Sequence, residues 1–385
     1  MDNLQNRKLR YGIVGGGAGA FIGVVHRHAL ALAGQFELVC GCFSRDEENN
    51  ASTGGSLGLD DARVYADFTQ MAQTEALRED KPDFMVCTTR NDYHYACCKA
   101  FLEAGFHVMC EKPLSQTQAQ AEELQRIAHV KGLLLGVSYV YSGHVMAMEA
   151  RSLIRAGEIG EIMMVMGEYP QDWLIEMAEG ANHGISTWRI DPQIAGRSNC
   201  VGDIGTHIEH SISFMTGLRI EKLCAVMDKF GAGTALDNNA AILIKYSNGA
   251  TGSYWCSQVA AGYDNALKLR IFGTAGAIEF DQEKSNYLTV VRKGGAPQLW
   301  SRGRGYIGDA AAAYSRIPAG HPEGYHNAFV NLYSSFADAL RDLVSGRLRP
   351  LEQYDFPTVE AGVDGVRFVE KCLESAANGN IWVKY

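Results

Sequence analysis

Between an apolar run and an amphipathic stretch, the chain places four glycines in five positions: Gly15, Gly16, Gly17 and Gly19. The segment Tyr11-Gly-Ile-Val-Gly15-Gly16-Gly17-Ala18-Gly19-Ala20 therefore reads as a strand, a tight turn and a helix start. Taken as Gly15-x-Gly17-x-x-Ala20, it has the G-x-G-x-x-G/A spacing of dinucleotide-binding loops. The first glycine permits the turn, the second lets a pyrophosphate approach the backbone, and the small third residue lets helix and strand pack closely. The helix that follows offers unpaired N–H groups and the positive end of its dipole. Alone, such a loop can be only a tight turn; its place after the first strand of a βαβ chain carries the functional reading.

That context is present. Short apolar runs at Arg10–Val14, Phe36–Phe43, Phe84–Thr88, His107–Cys110 and Leu133–Val137 alternate with helical patterns such as Tyr93–Ala104 and Gln116–Lys131. Runs apolar at successive positions suit strands covered on both faces. Ser115 and Gln118 have the spacing of a capping box for the second helix. After Val137 the pattern changes. Ile162–Tyr169, Ile220–Asp228, Ala240–Tyr246, Ala250–Gln258, Ala266–Phe272 and Ala275–Phe280 read as consecutive strands, with Ser247-Asn248-Gly249 as a hairpin turn. Helices are expected at Val145–Ala156, Ile204–Thr216, His326–Ser345 and Thr358–Ala377. The fold class is α/β: a Rossmann domain over residues 1–140, then an α+β domain over 141–385 built on a mostly antiparallel open sheet. An open sheet face usually needs covering, so a homo-oligomer, dimer or tetramer, is expected.

Composition narrows the partners. Thirty-five basic against 44 acidic residues give a formal charge of -9, which argues against a nucleic-acid surface. No apolar run approaches the ~18–20 residues of a membrane span. The start, Met-Asp-Asn-Leu-Gln-Asn-Arg-Lys, lacks a signal-peptide core, and the 10 cysteines include no C-x-x-C pair. A reduced, cytoplasmic protein without a metal centre is expected.

Three places carry chemistry. The second strand ends Gly41-Cys42-Phe43-Ser44-Arg45-Asp46, where dinucleotide folds usually place an acid on the ribose 2′-OH. Ser44 and Arg45 suit a 2′-phosphate, which favours NADP over NAD; Asp46 facing the ribose is the alternative. Cys110-Glu111-Lys112-Pro113-Leu114 follows the fourth strand at the sheet edge where ligands bind, and Lys112 there can stabilise charge on a substrate oxygen. In Gly202-Asp203-Ile204-Gly205-Thr206-His207-Ile208-Glu209-His210, helical spacing puts Asp203, His207 and His210 within about 60° of one another. Ile204, Ile208, Ile212 and Met215 form a separate apolar stripe. A carboxylate one turn from a histidine can orient its ring or raise its pKa. Equally, Asp203 can be an N-cap and the histidines core residues.

These segments together resemble the Gfo/Idh/MocA oxidoreductases, the family of glucose–fructose oxidoreductase and inositol dehydrogenase. The glycine loop, Thr88-Thr89-Arg90-Asn91-Asp92-Tyr93-His94, Glu111-Lys112-Pro113 and Gly202–His207 stand in the family's order. Glu168–Trp173, Trp188–Pro192 and Gly320–Tyr325 are similar to a branch acting on sugars, glycosides and cyclitols. The resemblance covers nearly the whole chain and implies catalytic roles for Lys112, Asp203 and His207, with a cis Lys112–Pro113 bond. It implies dinucleotide contacts at Gly15, Gly17, Ala20, Phe21, Ile22, Ser44, Arg45, Thr89, Asn91, His94, Glu111, Lys112, Trp188 and Arg189. Substrate contacts are implied at Lys112, Gln171, Asp172, Arg189, Asp203, His207 and His321; Gln171, Asp172, Arg189 and His321 read equally well as structural polar residues. The chain departs from the family at Thr89, often proline, and at His144-Val145, often Tyr-Pro. The expected activity is NAD- or NADP-dependent interconversion of a secondary alcohol and a ketone on a sugar, glycoside or cyclitol. A glycosidase using NAD for transient oxidation and a non-catalytic sugar or dinucleotide sensor are the alternatives.

Overall fold

The computed structural model describes residues 4, 5, 7–175, 187–231 and 234–385. The chain divides into two compact units: Met1–Val140 with Phe329–Val363, and Tyr141–Ala328 with Asp364–Tyr385.

The first unit holds a five-stranded parallel sheet in the order β2-β1-β3-β4-β5. Its strands are β1 (Leu9–Gly15), β2 (Phe36–Cys42), β3 (Phe84–Thr88), β4 (His107–Cys110) and β5 (Leu135–Val137). Every residue of β3, at the centre of the sheet, is buried, as its continuous apolar run requires. The crossovers are α1 (Phe21–Ala33), α2 (Glu47–Ser56), α3 (Phe68–Ala76), α4 (Asn91–Glu103) and α5 (Gln118–Lys131). Gly15 turns the chain out of β1 at φ 87°, a conformation that side chains with a Cβ rarely adopt. Helix and loop pack closely at Gly23, where a methyl would stand 2.3 Å from Gly16 Cα. The cap of α5 is also displaced from the expected box. Thr117 Oγ1 accepts from Gln120 N, while Ser115 Oγ donates to the Thr117 carbonyl. Thr117 has the extended backbone of a cap.

The second unit holds a nine-stranded sheet in the order β13-β12-β11-β10-β6-β9-β8-β7-β14. The strands are β6 (Ile162–Pro170), β7 (Ile220–Asp228), β8 (Asn239–Tyr246), β9 (Thr251–Ser257), β10 (Lys268–Gly273), β11 (Gly276–Asp281), β12 (Tyr287–Arg292), β13 (Gln298–Ser301) and β14 (Val383–Lys384). Only the β6–β9 pair is parallel among those described. Ser247-Asn248-Gly249 closes the β8–β9 hairpin, with Tyr246 N donating to the Ala250 carbonyl and Gly249 at φ 88°. Along β8, Ile242 and Ile244 are buried, whereas Leu243 between them is 49 % exposed. With Met164 and Val226 also exposed, one face of this sheet presents apolar side chains.

The helices here are α6 (Val145–Arg155), the short α7 (Pro192–Ala195), α8 (Thr206–Thr216) and α9 (Asp309–Ala312). The long α10 (Tyr325–Val344) and α11 (Val359–Ala377) each pass a division point between the units. A wider π-type turn, Val201–Gly205, precedes α8 where a continuous helix from Ile204 was expected. Ile204, Ile208, Ile212 and Met215 are all buried, each contributing roughly 1.5–3 kcal/mol relative to exposure. α8 lies so close to β6 that a methyl on Gly167 would stand 2.2 Å from Ile208 Cγ2.

Candidate functional site

In the first unit a cavity of about 510 Å³ opens beside the glycine loop. Gly15, Gly17, Ala20, Ser44, Arg45 and Thr89 line it, as do Asn49, Phe68, Arg90 and Tyr93. Asp46, Asp67 and Thr117 cap α2, α3 and α5 through their side chains, whereas Ala20 gives α1 no side-chain cap. The first N–H groups of α1 therefore meet the cavity without that competition, which suits an anionic pyrophosphate. A methyl on Gly17 would stand 2.5 Å from Asn49 Oδ1, so glycine keeps the loop open there. Asn49 clamps the loop: its Oδ1 accepts from Ala18 N at 2.9 Å and its Nδ2 donates to Ala18 O at 3.0 Å. The residues present thus fit a dinucleotide.

Asp46, exposed, caps α2: its Oδ1 accepts from Asn49 N at 2.7 Å. Arg45 is exposed; its guanidinium lies over the Tyr93 ring, 5.4 Å from the centroid, and donates to the Tyr93 hydroxyl at 3.1 Å. Other expected cofactor contacts lie outside the cavity lining. Phe21 is 70 % exposed at the start of α1, Ile22 and Asn91 are half-buried, and Glu111 is buried. His94 is buried, with Nδ1 2.6 Å from Pro113 O and Nε2 3.0 Å from Thr89 O. Its ring braces the two loops. One of its nitrogens and the thiols of Cys87 and Cys110 lie within 4.8 Å of one another, a grouping that the separate sequence positions did not suggest. Lys112, half-buried, follows β4, and the Lys112–Pro113 bond is cis.

The second unit gathers a different set. Asp203 sits in the π-type turn, where Gln258 Nε2 donates to its Oδ2 at 3.1 Å. Gln258 Oε1 in turn accepts from Asn199 Nδ2 at 2.7 Å, and Asp237 accepts from the backbone N–H of Asn199 and Val201, both at 2.9 Å. His207 lies in the first turn of α8, buried, with its ring 4.7 Å from that of Tyr141 and 6.1 Å from that of Tyr169. Tyr141 and Tyr169 share a hydrogen bond, and Asn265 binds both, accepting from Tyr169 Oη at 2.6 Å and donating to Tyr141 Oη at 3.1 Å. Gln171 joins this network through a 2.7 Å bond from Nε2 to Asn265 Oδ1. These tyrosines and Asn265 come from distant segments, so no local spacing could have revealed them.

His210 belongs to the core instead. Burial, followed by the charge of Arg151, pushes its pKa down to about 3, and its ring lies beside Phe214. Asp172 accepts from Gly262 N at 3.1 Å and so fixes a turn. Arg189 lies over the Trp188 ring, 4.6 Å from its centroid, in the short turn Thr187–Ile190. His321 is exposed; its loop is fastened by the buried Arg302–Glu323 ion pair at 2.9 Å, with Arg302 also donating to the Ile317 carbonyl.

Comparison with known proteins identifies the family. Residues 9–139 match the profile described as an oxidoreductase family with an NAD-binding Rossmann fold, and residues 147–279 match a GFO/IDH/MocA C-terminal domain. An uncharacterized oxidoreductase, YfiI of Bacillus subtilis, is 35 % identical over 100 % of this chain and 98 % of that protein. Levoglucosan dehydrogenase of Pseudarthrobacter phenanthrenivorans is 28 % identical over 74 % of this chain and 76 % of its own length. Among solved structures, an inositol dehydrogenase homolog from Azotobacter vinelandii, complexed with NADH and myo-inositol, superposes with a TM-score of 0.92 at 38 % identity. That likeness covers 99 % of this chain and 98 % of the other. No helix among the described residues is long and apolar enough to cross a membrane.

Proposed function

Since the chain belongs to the Gfo/Idh/MocA family of NAD-binding oxidoreductases, we propose that it oxidises a secondary alcohol of a sugar, glycoside or cyclitol to a ketone, and catalyses the reverse. The observation that supports this most is the placing of Asp203 one turn before His207, its carboxylate held by Gln258 just beyond β9, in a chain that also places Lys112 after β4. A bound nicotinamide supplies the hydride chemistry. His207 takes the hydroxyl proton, Asp203 supports the imidazolium that results, and Lys112 hydrogen-bonds the same oxygen. Gln171, Arg189 and His321 are assigned to the other hydroxyls of the substrate.

Gly15, Gly17 and Ala20, with the uncapped start of α1, are assigned to the pyrophosphate. Phe21, Ile22, Thr89, Asn91, His94, Glu111, Trp188 and Arg189 stay assigned to the dinucleotide as contacts or supports of its site. Ser44 and Arg45 are assigned to a 2′-phosphate, a preference for NADP supported by their place in the cavity lining. The apolar sheet face with Met164, Val226 and Leu243 supports a homo-oligomer. Sugars and cyclitols related to those bound by the relatives are the natural panel. Incubation with sugars, glycosides and inositols and either dinucleotide should generate the absorbance of the reduced nicotinamide. Cleavage of a glycoside without net reduction would identify the glycosidase chemistry instead, and ligand binding without either reaction would identify a sensor.

A further inference from the structure

We infer that His26 is a positioning residue for Lys112, acting through the Glu111 carboxylate; the inference rests on the role proposed above for Lys112. His26 lies on α1, the helix whose start meets the cavity, and is fully buried. Its Nε2 stands 2.8 Å from Glu111 Oε1. The other oxygen of Glu111 accepts from Lys112's own backbone N–H at 3.2 Å. One carboxylate thus spans from α1 to the peptide that carries the lysine. Because the carboxylate can only accept, Nε2 of His26 carries the proton in this bond. The far side of the ring is held as well: Nδ1 faces the Tyr333 hydroxyl at 2.5 Å, and the Phe329 ring lies 4.6 Å away.

Burial decides what this arrangement is worth. Glu111 is 6 % exposed, so a carboxylate without partners there would carry a large desolvation cost. With both oxygens engaged, neither the Glu111 side chain nor the peptide after it can rotate independently of α1. The Glu111 backbone N–H is also tied, donating to Cys87 O at 2.9 Å on β3. A lysine has four rotatable bonds and must bring its ammonium to one substrate oxygen. Fixing its backbone removes the displacements that cost the most, since a 1 Å misplacement can cost on the order of 100-fold in rate. The same helix therefore carries a dinucleotide-facing end and the mounting of the lysine.

The test compares His26→Asn, whose amide cannot reach the Nε2 position, with His26→Gln, which can. In the full-length protein with NAD+ or NADP+ bound, two quantities are read: the steady-state constants on an oxidised polyol, and the rate of Lys112 acetylation by acetic anhydride across pH, followed by peptide mass spectrometry. His26→Asn is expected to lower kcat by about 10–100-fold, to leave dinucleotide affinity in place and to shift the Lys112 labelling profile. His26→Gln is expected to recover most of both. A labelling profile in His26→Asn that matches the wild type overturns the inference, whatever happens to turnover. If no alcohol is oxidised by the wild type, the dehydrogenase reading fails, and the labelling profile still decides the positioning role. Should His26→Asn not fold, Glu111→Gln, nearly the same in size, has one acceptor oxygen and cannot accept from both His26 and the Lys112 N–H as the two carboxylate oxygens do; it is judged by the same profile.

Discussion

Gln258 holds Asp203 through a single 3.1 Å hydrogen bond, and the rest of the amide leaves it no other orientation. Its carbonyl oxygen already accepts from Asn199 Nδ2, so its NH2 group must face the carboxylate. Asn199 is fixed in turn by Asp237, which accepts from its backbone N–H. The acid one turn before His207 is thus oriented by a buried pair of amides, Gln258 just beyond β9 and Asn199. Asp203 as a mere N-cap does not account for that pair.

Lys112→Ala should remove most turnover while leaving dinucleotide binding largely intact. The glycine-loop cavity is lined by other residues, and loss of one donor to a developing oxyanion typically costs on the order of 2.7–4 kcal/mol. Turnover is measured beside a fluorescence titration with NADH and NADPH. Wild-type turnover in the folded variant would remove the catalytic assignment.

Arg45→Ala should weaken NADP much more than NAD. The guanidinium is exposed and positioned by Tyr93, and a fork of donors gains more from a phosphate than from a hydroxyl. Tyr93→Leu should produce a smaller loss in the same direction, because Arg45 would lose its support. Equal losses for both dinucleotides in parallel titrations would end the case for NADP.

Buried titratable groups of the second unit set how stability responds to pH. Burial pushes His144 down to about 4, and burial together with Arg151 pushes His210 down to about 3. Both rings fold neutral, so their contribution is complete above the unfolded value of about 6.5 and is lost as pH falls toward 4. Glu209 works in the opposite sense. Burial, then the charge of Asp364, pushes it up to about 8 against the pull of Arg219. It folds protonated, so its contribution is complete below about 4.5 and is lost as pH rises through 8. Melting temperatures between pH 8 and 5 should therefore separate the variants. On acidification the difference between His210→Phe and the wild type should move in favour of the variant, and that between Glu209→Gln and the wild type should move in favour of the wild type. Parallel curves for all three proteins would contradict these shifts.

Much of this molecule could be read from local pattern. Ile220–Asp228 shows the alternation of a half-buried strand and is a strand at the expected residues. The parallel strands showed as apolar runs because both faces are covered. β13 and β14 escaped because four and two residues at the sheet edges carry no periodicity. The helical-wheel argument for Asp203, His207 and His210 assumed a uniform helix. The π-type turn under Asp203 breaks that uniformity, and ring neighbours separate the two histidines: His207 lies against Tyr141 and Tyr169, His210 beside Phe214. Asn49 was not legible, because its role depends on reaching Ala18 from the next helix. Tyr141, Tyr169 and Asn265 meet only through tertiary folding.

The pH dependence of alcohol oxidation tests the role of His207 itself. The residue lies in the first turn of α8, is buried, and has its ring against Tyr141 and Tyr169, so rotation of the imidazole is restrained by packing. A general base works best with a pKa near the operating pH, and histidine starts at about 6.5. The oxidation rate should rise with pH through one ionisation. His207→Asn should flatten that limb and slow hydride transfer, visible as a larger kinetic isotope effect with a carbinol-deuterated substrate. Asp203→Asn should lower the ionisation, because the carboxylate stabilises the imidazolium. Gln258→Leu frees the carboxylate of its one described amide partner, so it should scatter the orientation of Asp203 and lower kcat without abolishing the limb. Lys112 is the rival base, since a lysine side chain can also carry the proton to and from a reacting hydroxyl. If His207→Asn keeps the wild-type limb and Lys112→Arg shifts it, the proton belongs to the lysine and His207 is the hydrogen-bond donor.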